Sequence, residues 1–122
     1  MSGRKYRLTE LADADIDEIL TYTHREFGPL QFEAYWALID KAGELVGENP
    51  LRPSSRNRDE LGQCVRSFPI EIAAGRRGAA SHMLYYLAGG LEDDTPGAVI
   101  LRVLGQGMEP GPLVARGLDE IA

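Results

Sequence analysis

Two arginines, one histidine and a pair of tyrosines carry most of the chemistry this chain could do. Arg66 stands in Val65-Arg66-Ser67-Phe68-Pro69-Ile70. His82 opens His82-Met83-Leu84-Tyr85-Tyr86, and Arg102 sits in Ile100-Leu101-Arg102-Val103-Leu104. In-line cleavage of a phosphodiester needs cations to hold phosphate oxygens and a side chain to move a proton. The groups available for that are Arg66, His82, Tyr86 (or Tyr85) and Arg102, with the arginines on strands that could be neighbours. No strand carries a lysine, however. Ion pairing, or contact with a partner's carboxylates, accounts for both arginines more simply than catalysis does.

Other chemistries find less support. Gly75-Arg76-Arg77-Gly78 has neither the spacing nor the lysine-serine ending of a phosphate-binding loop. His24 and His82 lie far apart and Cys64 is alone, so no metal set and no cofactor is expected. A Cys64–His82 nucleophile pair on neighbouring strands is conceivable. A lone cysteine packed as a small buried hydrophobe is the simpler expectation. There is no Gly-x-Ser-x-Gly elbow.

The elements that must position these residues follow from periodicity. Tyr6 to Thr9 alternates as a short strand. Asp13 or Asp15 can cap the helix that follows, and Asp15 with Glu18 has capping-box spacing. The acids at 13, 15, 17 and 18 suit the positive end of the helix dipole. Ile16, Ile19, Leu20, Thr23 and Phe27 then make one helical stripe. Gly28-Pro29 ends this helix and opens the next, which forces a helical hairpin. The second helix runs to about Val46. Its stripe of Phe32, Tyr35, Trp36, Ile39, Ala42 and Val46 is widened by Leu38 and Leu45, as if it touched more than one neighbour. Strands are expected over Cys64 to Ile70, His82 to Leu87 and Val99 to Leu104, the last apolar on both faces and therefore central. Residues 50–63, 73–81 and 89–97 read as loops. The tail carries glycines and prolines and ends in a short amphipathic stretch through Leu118 and Ile121.

Bulk properties bound the answer. At 122 residues the chain suits one domain, 1–122, with a core over about 6–110 and a tail over 111–122. Its hydrophobic share of 43% and charged share of 26% are ordinary for a globular protein. No apolar run reaches the ~20 residues of a membrane helix. No apolar stretch follows the basic N-terminus, so no signal peptide is expected. With one cysteine, a cytoplasmic location is the simplest expectation. A net charge of -6 argues against direct DNA binding. Residues 50–80 nevertheless hold six arginines against three acids. A solvated arginine-rich loop is the plainer account of that segment.

The order βααβββ, with its wording, resembles the ParE toxins of bacterial toxin–antitoxin pairs, relatives of the RelE toxins. The resemblance runs from Tyr6 to about Pro110. It rests on Ala12 to Ile19 followed by Tyr22-Thr23 and Phe27-Gly28. It continues in Gln31, Ala34, Tyr35 and Glu48-Asn49-Pro50, and then in the three strand segments quoted above, with Met108-Glu109 after the last. It implies an α+β fold in which a helical hairpin packs on a small, mostly antiparallel sheet. It also implies a toxin, associated with plasmid stabilization, that acts by binding protein rather than as an enzyme. The expected target is DNA gyrase and the neutralising partner a ParD-like antitoxin, bound as a hetero-oligomer. The antitoxin-facing candidates are Tyr22, Phe32, Tyr35, Leu38, Leu45 and Arg66, each apolar one of which could equally serve the core. Two departures bear on activity: Leu87 stands where the family often has arginine, and Gly105 where it often has histidine. Two alternatives follow from the same fold. One is a RelE-like ribosome-dependent mRNA endoribonuclease using Arg66, His82, Tyr86 and Arg102. The other is a non-toxic protein-binding module.

Overall fold

The computed structural model describes residues 5–76, 78, 80–89 and 96–122. The Glu92-Asp93-Asp94 part of the 89–97 loop lies outside them, as do Arg77 and Ala79. Strand β1 (Tyr6–Leu8) leads to helices α1 (Glu10–Phe27) and α2 (Pro29–Glu48). Strands β2 (Arg56–Asn57) and β3 (Arg66–Pro69) follow, then a short helix α3 (Ile70–Ala74). Strands β4 (His82–Ala88) and β5 (Ala98–Gly105) and helix α4 (Pro110–Ile121) complete the chain. The sheet order is β1-β5-β4-β3-β2, antiparallel except for the parallel β1–β5 pair. The fold is thus α+β, with a helical hairpin on a mostly antiparallel sheet, as the sequence leads one to expect.

The start of α1 differs from the expected Asp13 or Asp15 cap. Thr9 is the cap: its hydroxyl accepts the Ala12 N–H at 3.0 Å and donates to the Leu101 carbonyl at 2.9 Å. One side chain so satisfies a helix end and ties it to β5. The Glu120 carboxylate, from the far end of the chain, accepts the Glu10 N–H at 2.5 Å and the Leu11 N–H at 3.1 Å. At the joint, Gly28 has φ 90, where a side chain would be strained, and Pro29 starts α2.

The hairpin buries Ile16, Leu20, Ile39, Ala42 and Val46 against Phe68, Leu84, Tyr86, Ile100 and Val103. On α2, Gly43 lets the Tyr6 ring approach: a Cβ there would lie 2.7 Å from it. Gly47 does the same for the Lys5 carbonyl. β5 is buried from Ala98 to Leu104, in keeping with its place between β1 and β4.

Four features differ from expectation. The irregular 50–63 segment contributes β2, an edge strand paired Arg56 to Ser67 and Asn57 to Arg66. The expected Cys64–Ile70 strand is shorter. Cys64 has φ 68, is exposed rather than packed, and belongs to a turn closed by the Asp59 carboxylate on its N–H at 2.9 Å. Ile70 opens α3, because the ladder cannot run on past Pro69, which has no N–H to donate. The tail forms α4 over twelve residues, and it covers the second face of the sheet. There Val114 packs with Val65, Tyr85, Val99, Leu101 and Leu104.

Candidate functional site

A cleft of about 730 Å³ opens where α1, the first turns of α2, the start of β4 and the end of β5 meet. Such volumes are typical of ligand-binding clefts. From α1 it receives Asp15, Glu18, Ile19, Tyr22, Thr23 and Phe27, residues at spacings of three and four that share one face. Gln31 and Tyr35 come from α2, His82 from β4, Val103 and Leu104 from β5, and Met108 from the turn after β5. That turn is held by the Gln106 N–H on the Ser81 carbonyl at 2.9 Å, which fixes the floor against the β4 start. Tyr22, Phe27 and Met108 are large, apolar and about half exposed or more. The Tyr22 and Phe27 rings meet edge to face with centroids 6.4 Å apart, so their exposed apolar surfaces adjoin.

His82 and Tyr35 are joined within the cleft. The Tyr35 hydroxyl and His82 Nδ1 are 2.6 Å apart, and the rings meet edge to face at 5.6 Å. Burial lowers the His82 pKa from 6.5, which favours the neutral imidazole, and the tautomer of that ring sets which of the two groups donates the shared hydrogen bond. Burial raises the Tyr35 pKa, with the Ser81 backbone pulling the other way.

The structure disperses the four residues a phosphodiester-cleaving site would need. Arg66 spends its guanidinium on Ser55, with Nε and Nη2 at 3.0 and 2.8 Å from the hydroxyl. Tyr86 is fully buried and donates to the Pro50 carbonyl at 2.6 Å. Arg102 makes a two-pronged pair with Asp15, at 2.8 Å from Nε and 2.7 Å from Nη2, and donates to the Leu113 carbonyl at 3.1 Å. Asp15 also accepts the Val103 N–H at 3.0 Å. The expected adjacency of Arg66 and Arg102 does not hold, because β4 lies between their strands. A bulge leaves Leu101 unpaired, since Tyr85 faces Arg102 and Tyr86 faces Ile100. Such bulges re-aim side chains, and here Arg102 reaches α4. Only His82 of the four lines the cleft, and among the described residues no lysine or arginine does.

The comparisons with known proteins agree with this architecture. Residues 6–110 match the family model of the ParE toxin of type II toxin-antitoxin system, parDE. The chain belongs to the ParE toxin family. No curated protein matches it. Family membership makes it the toxin of a toxin–antitoxin pair and implies an antitoxin partner. The matched span ends at Pro110, so the hairpin and sheet belong to the ParE pattern and α4 lies beyond it. Among the described residues no helix is long and apolar enough to cross a membrane, and no group of His, Cys, Asp and Glu is placed to hold a metal.

The residues put forward as antitoxin-facing divide in this ParE toxin. Tyr22 and Tyr35 line the cleft. Phe32, Leu38 and Leu45 are half-buried against the hairpin core, with the His24 ring edge-on to Phe32 at 5.8 Å. Arg66 is away from the cleft, at the β2 edge. Phe27, read as part of the core stripe, is 64% exposed and lines the cleft instead. Its position just before Gly28-Pro29 was the available signal. The last turn of a helix at a hairpin tip has less beneath it than the middle turns have.

Proposed function

We propose that this ParE toxin acts in the cytoplasm by binding rather than by catalysis, that its target is DNA gyrase, and that a ParD-like antitoxin silences it by seating a segment in the cleft. The observation that carries the binding part of this reading is the cleft's lining: exposed aromatic and apolar side chains, two carboxylates, and no lysine or arginine among the described residues. A phosphate backbone would meet the uncommitted carboxylate of Glu18 there. An amphipathic polypeptide would cover the apolar surface and gain the area that drives association. The result is a toxin–antitoxin hetero-oligomer of the kind that stabilises plasmids.

The test is supercoiling by purified gyrase with increasing toxin, with and without the antitoxin. Inhibition relieved by the antitoxin is expected, and unchanged supercoiling at high toxin concentration would overturn the gyrase assignment. The His82–Tyr35 pair is the one feature that favours a second reading, ribosome-dependent cleavage of mRNA. Translation-dependent cuts that vanish in His82→Ala would establish it. Expression without growth arrest would favour a non-toxic binding module.

A further inference from the structure

The two carboxylates of the cleft are not equivalent. Asp15 is committed: both its oxygens are taken by Arg102, and one also by the Val103 N–H. Glu18, one turn on, is exposed and makes no hydrogen bond or ion pair among the described residues. Toward the hairpin tip the same helix face turns apolar, through Tyr22 to Phe27. Glu18 and Phe27 are nine positions apart, or about 13.5 Å along the axis. Arg25 stacks on Tyr22 at 5.6 Å and pairs with Glu26 at 3.3 Å, and it is not part of the lining. His82 faces in from β4 and Tyr35 from α2, hydrogen-bonded to each other. The cleft is therefore acidic at one end and aromatic at the other.

Resting on the reading of this cleft as the antitoxin seat, we infer that it selects an antitoxin segment with a lysine or arginine that meets Glu18 and, further toward the hairpin tip, a large apolar side chain against Tyr22 and Phe27. A cation at the Glu18 end adds Coulomb attraction in a partly desolvated groove. A carboxylate there is repelled, which fixes the direction in which the segment lies. In a helical segment the two groups stand nine positions apart. In an extended one they stand about four apart, from the rise per residue.

The full-length toxin and its cognate antitoxin test this by titration calorimetry at two salt concentrations. Phe27→Ala is expected to weaken binding about tenfold or more, as truncated anchors do. Glu18→Gln should weaken it about threefold to fivefold and reduce the salt dependence. Glu18→Lys should weaken it about tenfold or more, with recovery when the facing antitoxin cation is changed to glutamate. Circular dichroism of each variant confirms folding. Binding untouched by both Phe27→Ala and Tyr22→Ala would overturn the cleft assignment itself. Binding weakened by Phe27→Ala but indifferent to both Glu18 variants would overturn the charge selection and leave the cleft standing. A free toxin that dimerises, with the dimer abolished by Phe27→Ala, would make a second copy the occupant and overturn the inference.

Discussion

The two faces of the sheet are covered in different ways. On one, α1 and α2 bury Ile16, Leu20, Ile39, Ala42 and Val46, and α1 then continues past this core with Tyr22 and Phe27 left open to solvent. On the other, α4 is tied at several points. Arg102 reaches the Leu113 carbonyl, Gly117 lies against the Leu101 carbonyl, and Glu120 holds the first N–H groups of α1. One strand serves both, since β5 sends Ile100 and Val103 to the hairpin side and Val99, Leu101 and Leu104 to the α4 side. A face whose helix is tied to the sheet and to α1 along its length has little left to offer a partner. A face whose helix runs past its own core keeps apolar surface exposed, and that surface is where binding energy is available.

The contrast can be broken most forcefully at Asp15, which links the two faces. Asp15→Ala leaves the buried Arg102 guanidinium without its counter-charge, at a cost of about 3–5 kcal/mol. Urea denaturation should show it as a lower midpoint with little change in slope. Gly117→Ala attacks the closed face alone. Its Cβ would sit 2.8 Å from the Leu101 carbonyl oxygen, and overpacking of this kind costs about 1–3 kcal/mol. Gly111→Ala, in the same helix with open space around it, should show no loss in the same denaturation series and so serves as its control.

A smaller effect is expected from pH. Because burial lowers the His82 pKa in the folded state, the unfolded chain takes up the proton first as pH falls below about 6.5. His82 therefore makes stability decline as pH drops through that region, until the folded-state pKa is reached. His82→Gln should flatten the difference between midpoints at pH 7.5 and 5.5. The smallest change in stability belongs to the open face. Phe27→Ser should change the unfolding free energy by no more than about 0.5 kcal/mol, while it weakens neutralisation by the antitoxin in a growth assay.

Much of the framework was legible in the chain. Helix stripes, the Gly28-Pro29 joint and the apolar run of β5 are local patterns, and local patterns report which side of an element is buried. What misled was also local. The run of acids at 13–18 drew the helix cap toward Asp13 and Asp15, whereas Thr9 caps it. Arg66 and Arg102 looked like neighbours, because nothing in two strand sequences reveals a third strand between them. Cys64 read as buried because its turn conformation depends on Asp59. Within the site, Tyr22 and Tyr35 could be named in advance. Phe27 could not, because periodicity shows that it shares the core stripe but not that the stripe outlasts its cover.

The sequence by itself determined the kinds of element, their order and the apolar side of each, since these depend on neighbours within a turn or two. Tertiary structure decided the strand order, the pairing of Asp15 with Arg102 across 87 positions, the reach of Glu120 to the start of α1, and the opening beside Tyr22 and Phe27. Those depend on the summed energy of contacts between distant segments, which no short stretch of chain contains.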